Sequence, residues 1–216
     1  MLSQRLLALA DFITDSRVVA DIGSDHALLL CHLAKHHNLE KGYAFDIATG
    51  PLVQARKNCL KNGVTNIECI QAAGLSLLPK GVTTVIIAGL GYKTIRKILE
   101  DDWDKLTDIN EIIVQCNSQI IELRAFLSDR QVNIIDEKWI KDYKDYQFIK
   151  FNLKKARGYS PAERFFGPVF LQERPVDFLR YYANHCAKLH ENYRLSKREK
   201  IKQELDLIEG NLKQFF

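Results

Sequence analysis

The stretch from Arg17 to Leu30, Arg-Val-Val-Ala-Asp-Ile-Gly-Ser-Asp-His-Ala-Leu-Leu-Leu, limits the fold more than any other part of the chain. An apolar strand, Val18 to Ala20, runs into a glycine, and a helix is predicted to open near Asp25. That is the first strand–turn–helix of a doubly wound α/β domain, in which ligands sit at the carboxyl ends of the strands. Glycine at position 23 lets the backbone turn sharply and lets a ligand approach with no Cβ in the way. The turn holds this one glycine, whereas a dinucleotide loop would read G-x-G-x-x-G. It also carries Asp21 and Asp25 with no Lys or Arg between them. Two such carboxylates repel a pyrophosphate and suit a ligand with a cationic end, such as the amino group of S-adenosyl-L-methionine. Asp46, closing the next strand Gly42 to Asp46, stands where an acid accepts hydrogen bonds from ribose hydroxyls. The bland alternative, that Asp21 and Asp25 merely cap the following helix, leaves Asp46 unexplained.

The rest of the first two-thirds continues the alternation. Residues 2 to 13 place Leu2, Leu6, Leu7, Ala10 and Ile13 on one face of a leading helix. Thr49-Gly50-Pro51 starts a helix, proline losing no needed N–H there, and Asn62-Gly63 ends it. Asn66 to Gln71 and Thr83 to Ala88 read as strands three and four, the latter apolar throughout, as a central parallel strand requires. It empties into Gly89-Leu90-Gly91, read as a turn with room for a ligand or a base. A helix containing Ile95 to Leu99 follows, then strand five (Glu111 to Cys116) and a helix (Ile120 to Asp129). Val132 to Lys138 and Gln147 to Leu153 then form a hairpin with no helix between. This order fits an α/β, Rossmann-like seven-stranded mixed sheet with an antiparallel last strand, the class I methyltransferase plan.

From Ala156 the composition changes, so residues 1–155 are expected to form the Rossmann-like domain and 156–216 a small C-terminal helical domain. Gly158, Pro161, Gly167, Pro168 and Pro175 suggest a linker. Phe178, Tyr182, Cys186, Leu189 and Tyr193, then Ile201, Leu205, Ile208, Leu212 and Phe215, recur with coiled-coil spacing. A break near Ser196 would give a hairpin; without one, a single long helix follows. Lys188 to Lys202 holds six basic residues against two acids, including Lys188, Arg194, Lys197 and Arg198. Such a run is either a solvated face or a phosphate-contacting one.

A formal charge of +4 permits a nucleic-acid partner without requiring one. The five cysteines are scattered and form no C-x-x-C, with Cys31, Cys69 and Cys116 among apolar neighbours, as buried thiols in a cytoplasmic protein would be. No run is apolar enough to span a bilayer, so no membrane partner is expected. His32 and His36 stand four apart, yet no H-E-x-x-H accompanies them, so no metal is expected. The sequence does not fix the oligomeric state; a monomer is the working expectation.

Asp21-Ile22-Gly23-Ser24-Asp25-His26-Ala27, Gly50-Pro51, Ile87-Ala88-Gly89-Leu90-Gly91, Gln115-x-Asn117 and Phe166-Gly167-Pro168 together resemble the bacterial tRNA (adenine-22-N1)-methyltransferases, collinearly over nearly the whole chain. The resemblance implies S-adenosyl-L-methionine as cofactor and tRNA as substrate. The cofactor would then lie against Asp21, Gly23, Ser24, Asp25, His26, Asp46, Ala73 and Gly74. Gly89, Leu90 and Gly91 would face the methyl group, and Gln115 and Asn117 would orient the adenine through amide hydrogen bonds, unless they serve as a turn and a helix N-cap. Tyr92 and Lys93, with the C-terminal basic residues, would touch the RNA. Adenine N1 has a free in-plane lone pair, so such an enzyme needs no strong general base, and its rate comes from in-line placement.

The chain departs from the family pattern in four places. Gly-Asp-Gly-Leu reads Ala72-Ala73-Gly74-Leu75, Gly-Met-Gly-Gly reads Gly89-Leu90-Gly91-Tyr92, and a Tyr and a Pro are Leu28 and Cys116. The missing acid at 73 removes one hydrogen bond to the cofactor's adenine, worth about 0.5–1.5 kcal/mol. An RNA-binding protein whose cofactor pocket has decayed is the competing expectation. A nicotinamide-dependent oxidoreductase is excluded by the glycine count and the acids of the first loop.

Overall fold

The computed structural model describes residues 2–215, and the chain divides into two compact units, one ending at Gly158 and the other beginning at Tyr159. The strands of the first unit are β1 (Val18–Ile22), β2 (Lys41–Asp46), β3 (Ile67–Gln71), β4 (Thr84–Leu90), β5 (Glu111–Cys116), β6 (Val132–Lys141) and β7 (Asp145–Lys155). They form one seven-stranded sheet in the order β3-β2-β1-β4-β5-β7-β6. The first five run parallel, and β7 lies antiparallel to both β5 and β6. Two strands joined by a short turn can pair only antiparallel, whereas the parallel ones need helical crossovers. Those crossovers are α2 (Leu28–His36), α3 (Thr49–Lys61), α4 (Tyr92–Asp101) and α5 (Ile120–Asp129), preceded by α1 (Gln4–Phe12). All six residues of β5 are buried, the polar Glu111 and Gln115 on either side of its Ile-Ile-Val centre included.

The strand order reverses between β1 and β4, and at such a switch point the carboxyl ends of the two strands leave a crevice. The glycine turn after β1 and the glycine-rich end of β4 therefore face each other. Local structure differs from expectation at both. Helix α2 starts at Leu28 rather than near Asp25, because Asp25 and Ala27 take left-handed φ of 50° and 53°. Strand β4 runs on through Leu90, with a register shift against β5 between Ala88 and Leu90 and φ of +80° at Gly89. Gly89-Leu90 is thus a bulged strand end and not a turn. On α1 the buried face carries Leu9, Ala10 and Phe12, and Leu7 is exposed.

The second unit contains α6 (Pro161–Phe166), α7 (Pro168–Glu173), α8 (Val176–Ser196) and α9 (Glu199–Leu212). The expected linker therefore holds two short helices. Their prolines stand at the first helical positions, and Ser160 and Glu163 cap α6 reciprocally. The helical segment is a hairpin, broken at Lys197, whose φ of 52° ends α8. Phe178, Tyr182, Cys186 and Leu189 of α8 are buried, as are Leu205, Ile208 and Leu212 of α9. The two helices are bridged by His185–Glu204 at 2.8 Å and His190–Glu209 at 3.1 Å. Cys186, His190 and Glu209 group closely enough to share an ion, but the Lys213 ammonium already sits 3.4 Å from the same Glu209 oxygen.

Candidate active site

The turn after β1 is tied to β2, since the N–H groups of Gly23 and Ser24 both donate to the Phe45 carbonyl at 2.9 Å. Gly23 has φ of +72°, a conformation that favours glycine. This geometry turns Asp21 inward, where it is 7% exposed and receives one side-chain hydrogen bond, from the Ser24 hydroxyl at 2.7 Å. Burial pushes the Asp21 carboxyl up to about 6, against the pull of Ser24 and the Arg5 guanidinium and with a small push from Asp25. The two acids of the loop are not equivalent. Asp25 stands on the rim, largely exposed, 3.3 Å from His26 Nε2.

Two cavities open at this edge of the sheet. One, of about 300 Å³, is lined by Asp21, Ser24, Asp25 and His26 together with Arg5 and Leu9 of α1. The other, of about 510 Å³, is walled by Asp46, Ile47, Ala73, Gly74, Lys93 and Ile98. Gly23 and Leu90 line both, and a Cβ added at Gly23 would meet the Leu90 side chain at 3.7 Å. The cleft is therefore two chambers meeting at a waist. One offers an acid and a guanidinium, as an amino-acid zwitterion demands. The other is mostly apolar, with Asp46, Asp101, Asp102, Lys93 and Lys97 among its lining, and Asp46 at the end of β2 stands where a nucleoside's ribose would need an acceptor. Asp46 Oδ1 accepts the Ala48 N–H at 2.9 Å, and among the described residues Oδ2 accepts no hydrogen bond. S-adenosyl-L-methionine fits this outline, its amino-acid end and its nucleoside being joined at a sulfonium.

The bulge at the end of β4 is held on both sides. Gln115 Oε1 accepts the Gly89 N–H at 3.0 Å, and Asn117 Nδ2 donates to the Gly89 carbonyl at 2.6 Å. Gln115 Nε2 donates to Asn117 Oδ1 at 3.3 Å, and Arg5 Nη1 donates to Gln115 Oε1 at 3.1 Å. This differs from the role expected of Gln115, whereas Asn117 is exposed beside the bulge it holds. Gln115 is fully buried and grips a peptide group instead of a base. Neither amide caps α5, whose N-cap is Gln119 in a left-handed conformation.

Other expected residues also fall differently. Tyr92 opens α4 and lines neither cavity; its hydroxyl accepts from Arg96 Nη1 at 3.5 Å, so the bulky ring does not narrow the cleft. Lys93 lines the larger cavity. Gly91 is the N-cap of α4. Lys188, Arg194, Lys197 and Arg198 are all exposed and belong to the second unit. Arg5 and Ile47 were not foreseen. Arg5 acts across 110 residues of chain, beyond any local pattern, whereas an apolar residue directly after the acid that closes β2 is a readable signal for Ile47.

Residues 2–149 match the family model for a methyltransferase domain. The chain is 31% identical to the tRNA (adenine(22)-N(1))-methyltransferase of Bacillus subtilis, across 98% of this chain and 90% of that protein. Among solved structures it resembles Mycoplasma capricolum TrmK in complex with S-adenosyl-homocysteine (M. capricolum, 30% identity, TM-score 0.84, covering 99% of this chain and 98% of that one). It also resembles Streptococcus pneumoniae Sp1610 in complex with S-adenosyl-L-methionine, with 27% identity, a TM-score of 0.87, and 98% and 100% of the two chains covered.

Proposed function

The chain belongs to the tRNA (adenine(22)-N1)-methyltransferase family, and from that premise we infer that it transfers the methyl group of S-adenosyl-L-methionine to N1 of adenine 22 in tRNA. The observation that carries this reading is the two-chambered cleft, with a buried, donor-poor Asp21 in one chamber and Asp46 in the other. The cleft is open, which speaks against a decayed pocket despite the alanine at 73.

When bound, the cofactor supplies an electrophilic methyl group on a sulfonium. Asp21 would accept from its ammonium end, the Arg5 guanidinium would meet its carboxylate end, and Asp46 would take its ribose. Gly23 and Leu90 would form the waist between its two halves, and the Gln115–Asn117 clamp holds the Gly89 peptide in place. No residue has to remove a proton from the nucleophile, because adenine N1 presents its lone pair already free. The work of the chain is alignment, holding N1 and the methyl carbon at roughly 3–3.5 Å with bulk water excluded. The exposed Lys188, Arg194, Lys197 and Arg198 supply phosphate contacts, so their replacement reduces tRNA affinity and its salt dependence. Among the described residues no helix is long and apolar enough to cross a membrane, and the site of action that fits a tRNA substrate is the cytoplasm.

The test is incubation of an unmodified tRNA transcript with the protein and S-adenosyl-L-methionine, followed by mapping of the methylated base. N1-methylation blocks the pairing edge, so reverse transcription stops at adenine 22. No product, or a product elsewhere, overturns the assignment.

A further inference from the structure

The turn between β6 and β7 carries Lys141, Asp142, Tyr143, Lys144 and Asp145, and it reaches the methyl-transfer site. Lys144 Nζ lies 3.5 Å from Asn117 Oδ1, and Asn117 in turn holds the Gly89 carbonyl. The turn is closed by the Asp142 N–H donating to the Lys144 carbonyl at 3.0 Å. It is also fixed to α1, since Asp142 Oδ2 accepts the Arg5 N–H at 3.4 Å. Beneath it the buried Tyr146 ring lies between two cations, Arg5 at 5.6 Å and Lys144 at 5.0 Å.

On this support stands Tyr143, 82% exposed, with its ring 5.6 Å from that of Tyr146 in an edge-to-face arrangement. Apart from that edge contact, most of the Tyr143 ring is left to solvent. The charges around it are sorted. Both acids of the turn are engaged by protein donors, Asp142 as above and Asp145 by the Trp139 indole N–H at 2.9 Å. Both lysines are exposed, Lys144 lying 5.9 Å from the Tyr143 ring centre. An exposed ring flanked by lysines, joined to the reaction bulge through one amide, matches what single-stranded RNA offers: a flat base and a phosphate one bond path away.

We propose that the β6–β7 turn is a nucleobase-binding site, in which Tyr143 stacks on a base of the substrate RNA beside the methyl-accepting adenine and Lys144 meets the adjoining phosphate. The proposal rests on the tRNA reading above. It assigns recognition of the nucleotides around the target to the first unit, independently of the basic residues of the C-terminal helices.

The experiment measures binding of fluorescein-labelled unmodified tRNA by anisotropy and methylation by tritium transfer, for the wild type and for Tyr143→Ala, Tyr143→Trp and Lys144→Ala. Binding of S-adenosyl-homocysteine by calorimetry reports on the cofactor cleft in each protein. Loss of a stacking partner should raise the tRNA Kd and KM about ten-fold in Tyr143→Ala, with cofactor affinity unchanged. Tyr143→Trp should remain within about two-fold of wild type, since a π-face and not a hydroxyl is required. Lys144→Ala should lower the slope of log K against log salt by about one. Unchanged tRNA binding in Tyr143→Ala, beside an active wild type, sinks the nucleobase site and leaves the methyltransferase reading standing. Weakened binding in Tyr143→Ala that Trp does not rescue assigns the ring a folding role and also overturns the proposal. A wild type that neither binds nor methylates tRNA takes both down together.

Discussion

Asp21 and Glu111 are both buried carboxylates on the same parallel sheet, and their surroundings are opposite. Glu111 lies at the amino end of β5, 2% exposed, and accepts from the Thr14 N–H and hydroxyl, the Asp15 N–H and the Thr84 hydroxyl, with Lys150 Nζ at 3.3 Å. Burial pushes its carboxyl up, but those donors and the lysine outweigh it and hold the group below its ordinary range. Asp21 lies near the carboxyl end of β1 with one hydroxyl for company, and burial wins. A carboxylate surrounded by donors is a structural joint; one buried with its charge unmet is waiting for a cation from outside.

Breaking the first acid should give the larger effect on folding. Glu111→Ala leaves Lys150 buried without its counter-charge, and the expected loss is about 3–5 kcal/mol in urea unfolding, with cofactor affinity per folded molecule retained. A loss below about 1 kcal/mol would erase the distinction between the two acids. Asp21→Asn should do the reverse, lowering affinity for S-adenosyl-L-methionine about 100-fold in calorimetry while stabilising the unliganded fold by about 1 kcal/mol at pH 7. An Asn variant that binds normally would remove Asp21 from the ammonium site.

The pH responses should also have opposite signs. The folded-state value of Asp21, about 6, lies above its ordinary value of 3.8, so its contribution to stability is full below the unfolded value and is lost as pH rises through 6. The full swing is about 3 kcal/mol at most. Glu111 is depressed, so its contribution is present above the unfolded value near 4.5 and disappears as pH falls through the native one. Chemical unfolding of the unliganded protein at pH 5 and pH 7 should therefore show a decline toward pH 7 that Asp21→Asn abolishes. Cofactor binding near pH 6 should release a proton, detectable as a buffer-dependent binding heat. The smallest effect is expected in the apolar chamber, where Ala73→Asp should tighten cofactor binding several-fold by restoring one acceptor. No gain would mean that the adenine amino group does not reach position 73.

Local chemistry made much of this fold readable. The β-branched centre of β5 and the spacing of α5 give their observed limits, Glu111–Cys116 and Ile120–Asp129, and the loss of alternation after α5 foretells the antiparallel pair β6 and β7. Asp46 and the Gly23 turn were legible because a strand end followed by an acid or a glycine is a local pattern. What stayed hidden depends on contacts distant in sequence. Nothing near Gln115 shows that its amide faces Gly89 and not a base, and nothing near Arg5 shows that it enters the cleft. The misread linker is different in kind. Ser160-Pro161 followed by Glu163 is a helix-start signal, and in sequence a proline that begins a helix looks like one that breaks it. The hairpin at Lys197 had no signal, since a lysine in a left-handed conformation stands where glycine or asparagine usually would.

A single oxygen, Gln115 Oε1, is shared between the Gly89 peptide and the Arg5 side chain. Helix α1 is thereby linked to the bulge at the end of β4 without contributing a strand to the sheet. A shortened or heavily tagged amino terminus can leave the sheet's spectroscopic signature intact and still yield a sluggish preparation, so an inactive sample calls for checking the intact mass of its first helix before the assay is blamed.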